Sequence, residues 1–245
     1  MTRAPWPDIF PDVISNVMWT AQKKGDLCLK AHPLYQPAKG ERDLGSALSL
    51  LDDLVKKSTI ESLKTLASEA ETTPILVAPA AHVEDSNNVL AIGYAHWLGH
   101  ELDWPVEERV FQAKTFSKDR SDAWIRIANR STFYGEIDRK SPYVIVDDVL
   151  TLGGTLADLR SFIIDKGGSV IGMSTIASRY GHDAPIHLGK DLQTKLEKYY
   201  GSDLEKFCNE HLGFGHQCLT RSEGEKFFGC SGYVELRKKI DGGRH

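Results

Sequence analysis

Tyr143-Val144-Ile145-Val146-Asp147-Asp148-Val149-Leu150-Thr151-Leu152-Gly153-Gly154-Thr155 is the stretch on which the fold turns. It begins with four apolar residues, continues with two adjacent acids, and ends in a small-residue turn that opens a helix. The apolar run predicts a buried parallel strand, whose end lies at the sheet edge where open α/β folds take their ligands. Two neighbouring carboxylates repel each other, a poor choice for stability unless something pairs with them. A vicinal diol such as that of ribose is such a partner, with Asp147 and Asp148 accepting its hydrogen bonds. Gly153 and Gly154 permit close backbone approach, and N–H groups at a helix N-terminus point at an anion. Thr151 and Thr155 add hydroxyl donors. The combination calls for a phosphorylated sugar. It is neither a Walker A loop, since no Gly-Lys-Ser/Thr follows at the required spacing, nor a dinucleotide fingerprint.

Outward from this stretch, the pattern alternates strands with helices. Ile75-Leu76-Val77-Ala78, after Pro74, has the length and β-branching of a buried strand. Arg109-Val110-Phe111 and Val170-Ile171-Gly172-Met173 are further strands. Leu48, Leu50, Leu51, Leu54 and Val55 repeat at helical spacing, continued by Ile60, Leu63 and Leu66. Residues 89–98 predict a helix stopped by Gly99, and 156–164 one ending at Gly167-Gly168. This order implies a parallel sheet with right-handed crossovers. The first 45 residues, interrupted by Pro5, Pro7, Pro11, Pro33 and Pro37, are expected to be irregular chain wrapped on a domain. Beyond Arg179 the chain turns helical and polar: 188–200 and 203–211 are amphipathic, and Thr220-Arg221-Ser222-Glu223 has the form of a capping box. The expected organisation is an extension over 1–72, a core over 73–178 and a helical extension over 179–245.

Composition bounds the function. The 245 residues carry a net charge of −4 with 41% hydrophobic residues, a globular composition that argues against a broad basic surface for nucleic acid or anionic membrane. No run approaches the roughly 18 apolar residues of a membrane span, and residues 1–13 lack an apolar signal core, so a cytoplasmic address is expected. Cys28, Cys208, Cys218 and Cys230 are too few for a disulfide scaffold. Cys208, His211, His216 and Cys218 form C-x2-H-x4-H-x-C, which matches no familiar zinc module and reads more simply as core residues. His96 and His100 share a helical face without the glutamate of a zincin helix. Residues 109–130 place six cations (Arg109, Lys114, Lys118, Arg120, Arg126, Arg130) against Asp119 and Asp122, a local excess of positive charge in a chain that is negative overall.

The segment from Val144 to Thr155 resembles the 5-phosphoribosyl-1-pyrophosphate (PRPP) signature of the type I phosphoribosyltransferases. That resemblance implies a parallel, five-stranded, Rossmann-like phosphoribosyltransferase core, with a hood built from the N-terminal segment and the C-terminal helices. It implies PRPP with Mg2+ as ligand and cofactor. Asp147 and Asp148 resemble the pair on the ribose 2′ and 3′ hydroxyls, and would also serve Mg2+ directly, through water or through the ribose. Thr151, Leu152, Gly153, Gly154 and Thr155 resemble the 5′-phosphate loop. Ala80 and Ala81, with Asn88 nearby, fall where the family binds pyrophosphate, although the usual glycines are missing. Lys114, Arg120 and Arg126 fall on the family's flexible loop, Arg126 as a catalytic cation beside the two aspartates. The spacing from Arg126 to Asn129, with Phe133, loosely resembles competence-associated relatives, but the Cys-rich zinc module common among those is absent.

The implied reaction transfers the phosphoribosyl group to an unidentified nitrogenous acceptor with release of pyrophosphate. Thr151 stands where hypoxanthine-guanine-type enzymes carry an aspartate, which counts against that subgroup. Arg179, Tyr180 and His182 either face the acceptor or begin the hood. A PRPP- or nucleotide-sensing protein without catalysis is the alternative, and a DNA-processing accessory a third. The expected partners are PRPP and a small-molecule acceptor, with homodimerisation left open.

Overall fold

The computed structural model describes residues 2–23, 25–81, 88–113 and 122–244, residue 81 in its backbone alone. Its main sheet has six strands: β4 (Val106–Glu107), β2 (Ile75–Val77), β7 (Tyr143–Leu150), β8 (Val170–Ser178), β1 (Val13–Met18) and β9 (Asp183–Ala184), in that spatial order. The first five are mutually parallel and β9 closes the edge antiparallel to β1. The molecule is thus α/β with a mostly parallel central sheet. In β7, Val144 and Val146 face one core while Tyr143 and Ile145 face the other. A strand covered on both faces reads as an unbroken apolar run, which is why this one was legible. α2 (Leu44–Leu54) and α4 (Val89–Leu102) supply Leu50, Leu51, Tyr94 and Leu98 to the first core. α6 (Gly154–Asp165) supplies Leu156, Leu159, Phe162 and Ile163 to the second.

Several sequence expectations are corrected. The N-terminal segment is not irregular throughout, because β1 lies inside the sheet beside β8. Its polar centre hid it, and the structure accounts for each polar atom. Ser15 Oγ meets Thr175 Oγ1 at 2.7 Å, and Asn16 Nδ2 donates to Tyr94 Oη at 3.0 Å and to the Thr175 carbonyl at 3.1 Å. Asn16 Oδ1 accepts from Lys56 N at 3.0 Å and Thr59 Oγ1 at 2.7 Å. The same contacts break the expected long helix in two: α2 ends at Leu54 and α3 (Lys57–Ala67) begins after an extended Val55. Gly99 does not stop α4, which runs to Leu102 and ends at Asp103 in the left-handed region, φ 55°. Gly99 instead permits close packing: a Cβ there would lie 3.0 Å from the Trp104 carbonyl and from Val106 Cγ2.

A smaller sheet joins β3 (Ala80–Ala81), β5 (Val110–Gln112) and β6 (Phe133–Gly135). The C-terminal helices α7 (Gly189–Tyr200), α8 (Leu204–Leu212), α9 (Arg221–Phe227) and α10 (Tyr233–Gly243) build a third core from Leu192, Leu196, Leu204, Phe227, Leu236 and Ile240. The capping box at Thr220 forms, with Glu223 N donating to Thr220 Oγ1 and Thr220 N to Glu223 Oε2. Cys208, His211, His216 and Cys218 do not converge: His216 Nε2 meets Glu197 Oε1 at 2.8 Å, His211 packs on Phe207, and Cys218 Sγ donates to the Arg3 carbonyl. Among the described residues no group of three or more His, Cys, Asp or Glu side chains is arranged to hold a metal ion, and no helix is long and apolar enough to cross a membrane.

Candidate functional site: an aspartate pair and a glycine turn

β7 is longer than its apolar run, so Asp147 and Asp148 lie within the strand, Asp147 opposite Thr175 of β8. The pair is engaged by residues that sequence reasoning did not single out as a set. Lys39, in the last turn of α1 (Tyr35–Gly40), makes a short ion pair with Asp148 Oδ2 and donates to Asn88 Oδ1 at 2.9 Å. Asn88 Nδ2 in turn faces Asp147 Oδ1 at 3.4 Å, and the Asp148 amide donates to that same oxygen at 2.8 Å. Burial and the charge of Asp148 hold the Asp147 carboxyl well above the usual aspartate range. Burial pushes Asp148 the same way, but the Lys39 ammonium outweighs it and Asp148 stays below its ordinary value. The two carboxyls are thus pushed in opposite directions, Asp147 toward its neutral form and Asp148 toward its charged one. No local sequence signal marked Lys39, because its helix is six residues long and lies in the proline-interrupted segment.

Immediately beyond the strand, Gly153 takes φ 76°, and a Cβ there would meet Ile186 at 3.1 Å, so glycine is required. The backbone N–H groups of Leu152, Gly153 and Gly154 donate to no acceptor among the described residues. Thr220 Oγ1 donates to the Leu152 carbonyl, tying the turn to the start of α9. Leu152 itself is buried in the C-terminal core.

Arg126 belongs to this turn. It projects from α5 (Ala123–Ala128), and its Nη1 donates to Thr151 Oγ1 at 3.0 Å. α5 is capped by Asp122 and packs closely on α10: Asn129 Nδ2 donates to the Gly243 carbonyl, and a Cβ on Gly243 would lie 2.6 Å from the Trp124 carbonyl. α10 thus holds in place the helix that carries Arg126 to the glycine turn.

The other cations of 109–130 divide. Arg109 grips Glu107 through two 2.8 Å contacts, and Arg130 pairs with Asp158 at 3.0 Å. Both are committed to carboxylates, so the charge excess counted from sequence is smaller here than it looked. Lys114, Lys118 and Arg120 lie outside the described residues, as do His82, Glu84 and Asp85. Ala80 and Ala81 form β3 against Phe111 and Gln112. Ala80 also lines a cavity of about 170 Å³ with Ala78, Ile92 and Phe111. Arg179 donates its amide to the Leu150 carbonyl, Tyr180 is half-exposed, and His182 meets Asp183 at 3.0 Å.

Magnesium requires near-octahedral oxygen ligands at about 2.0–2.1 Å. Here an ammonium already sits on Asp148 Oδ2, so the carboxylate pair as arranged does not fit an inner-sphere divalent ion. No step below uses a metal held by these residues.

No family model matches the chain. Protein TraN of Escherichia coli is 31% identical over 248 residues, which take in 99% of this chain and 52% of that protein. An uncharacterized protein of Haemophilus influenzae is 33% identical over 164 residues, 67% of this chain and 34% of that protein. The chain thus spans about half the length of the first relative and about a third of the second. Among solved structures, the adenine phosphoribosyltransferase of Saccharomyces cerevisiae is similar at 15% identity with a TM-score of 0.35, covering 56% of this chain and 72% of that one. At that TM-score the fold rests on the strand order above.

Proposed function

We propose that the chain binds the 5-phosphoribosyl group of PRPP and transfers it to a nitrogenous acceptor with release of pyrophosphate. One observation carries this reading: an aspartate pair bridged by Lys39 and Asn88, and a glycine turn whose amides meet no acceptor among the described residues, occur in succession on one strand and helix, with Arg126 bonded to the turn. Asp147 and Asp148 receive the ribose hydroxyls. The amides of 152–154 and Arg126 receive the 5′-phosphate, which fixes the sugar at both ends and pre-organises C1 for attack. In the reaction the acceptor nitrogen forms a bond to C1 as the C1–oxygen bond breaks. Its electron pair leaves with pyrophosphate, and the acceptor's proton passes to solvent. Positive charge gathers on the ring in the transition state, where the nearby Asp148 carboxylate stabilises it. Any metal ion arrives with the pyrophosphate oxygens as part of the substrate.

The reading is tested by titrating PRPP with Mg2+ into the wild-type chain and Asp148→Asn, then assaying pyrophosphate release with purine, pyrimidine and small-amine acceptors. Binding that Asp148→Asn weakens at least tenfold, with acceptor-dependent pyrophosphate release, is the expected result. PRPP binding that is absent, or indifferent to the substitution, rejects it. Binding without turnover would favour a sensor of PRPP or nucleotides. The engagement of Ala80 and Ala81 in β3 motivates that second reading, because it leaves fewer backbone amides for a pyrophosphate.

A further inference from the structure

We propose that Lys39 is the built-in cation of the ribose site, so that a 5-phosphoribosyl ligand is held there without a divalent metal ion. The inference rests on the reading of 147–155 as a phosphoribosyl site. Its ground is geometric. A single ammonium joins both elements of the site: it is ion-paired with Asp148 on β7 and bonded to Asn88 at the start of α4, whose amide reaches Asp147. Asn88 is oriented by charge, with its oxygen toward the ammonium and its nitrogen toward the carboxyl. One lysine and one amide therefore hold both acids.

The lysine is also well placed to stay there. Its neighbour Ala38 is fully buried in the core shared with α2 and α4, and Tyr35, at the start of the same helix, packs edge-on against Trp19 at 5.5 Å. The Lys39 side chain is three-quarters buried. A divalent ion on Asp148 would have to displace this ammonium or suffer its repulsion at contact distance. A compact ammonium meets the same need for positive charge at Asp148. Lys39 comes from α1, between β1 and β2, so a segment distant in sequence from 147–155 completes the site.

The test uses ribose 5-phosphate, which has no pyrophosphate to carry a metal, titrated calorimetrically into the full chain in EDTA and in Mg2+. Wild-type affinity is expected to agree within about twofold between the two media. Lys39→Met is expected to bind at least tenfold more weakly in EDTA, and to regain affinity in Mg2+, while Lys39→Arg remains near wild type. Wild-type binding that disappears in EDTA overturns the proposal with no variant involved, and so does Lys39→Met binding as the wild type does. If ribose 5-phosphate fails to bind the wild type in either medium, the phosphoribosyl reading itself falls, and this inference with it.

Discussion

Asp147 is the residue at which stability and the proposed ligand binding conflict. Burial and the charge of Asp148 raise its carboxyl above the ordinary aspartate range, so the folded chain resists an ionisation that the unfolded chain undergoes freely. Below the ordinary aspartate value of about 3.8 the group is neutral in both states and costs nothing. As pH rises above that value the unfolded state ionises first, and the folded state loses relative stability until its own raised pKa is passed. Asp147→Asn keeps the neutral shape and the acceptor for the Asp148 amide. We expect it to stabilise the chain by roughly 1 kcal/mol at pH 7, a gain that vanishes toward pH 3 while PRPP affinity falls. Thermal melts at the two pH values check the sign, and no gain at pH 7 would show that the fold does not raise the Asp147 pKa. The acid pair was legible because two adjacent aspartates after an apolar run are locally anomalous. Lys39 was not, because a lysine in a short helix looks like any solvated lysine until the fold brings Asp148 to it.

Among the elements, β1 shows how a buried strand escapes a reading based on apolar runs. Ser15 and Asn16 interrupt its apolar pattern, but every polar atom of the Asn16 side chain has a partner in the core. Tyr94 extends the network to Ser174 at 2.7 Å, and burial pushes its hydroxyl up to about 12. Asn16→Ala would leave the Lys56 amide, the Thr59 hydroxyl and the Tyr94 hydroxyl without this partner inside the protein. Buried groups left unsatisfied cost about 1–3 kcal/mol each, and shared networks are not additive, so about 2–4 kcal/mol is expected in total. A urea titration should show a lower midpoint at unchanged slope. A loss under 0.5 kcal/mol would mean that water reaches the network. The break between α2 and α3 is part of the same design, since the Lys56 amide turns away from the helix to meet Asn16.

At the scale of the molecule, the N-terminal segment and α9 meet behind the glycine turn. Arg3 Nε pairs with Asp158 at 2.9 Å, and its other nitrogens grip both oxygens of Glu223 and reach the Gly154 carbonyl at 3.3 Å. Arg3 and Arg130 both lie over the Phe214 ring, at 4.7 and 4.8 Å. Arg160 holds the neighbouring segment by donating to the Ala4 and Pro5 carbonyls while packing on Trp6. Removing Arg3 would strand buried carboxylates, so Arg3→Met is expected to cost about 3–5 kcal/mol. Adding Glu223→Gln should recover part of that loss, because the amide keeps the capping geometry without the charge. A double variant no more stable than Arg3→Met would show that packing rather than charge dominates. What the sequence by itself determined is the local part: the β7 strand, the acid pair, the glycine turn and the helix after it, all set by consecutive residues through burial period and turn geometry. The tertiary structure decided the rest. It inserted β1 into the sheet, brought Lys39 to Asp148, turned Arg126 onto Thr151, and committed Arg130 to Asp158. Each of these is a pairing between segments far apart in the chain, and charge or periodicity within one segment carries no record of which distant group will satisfy it.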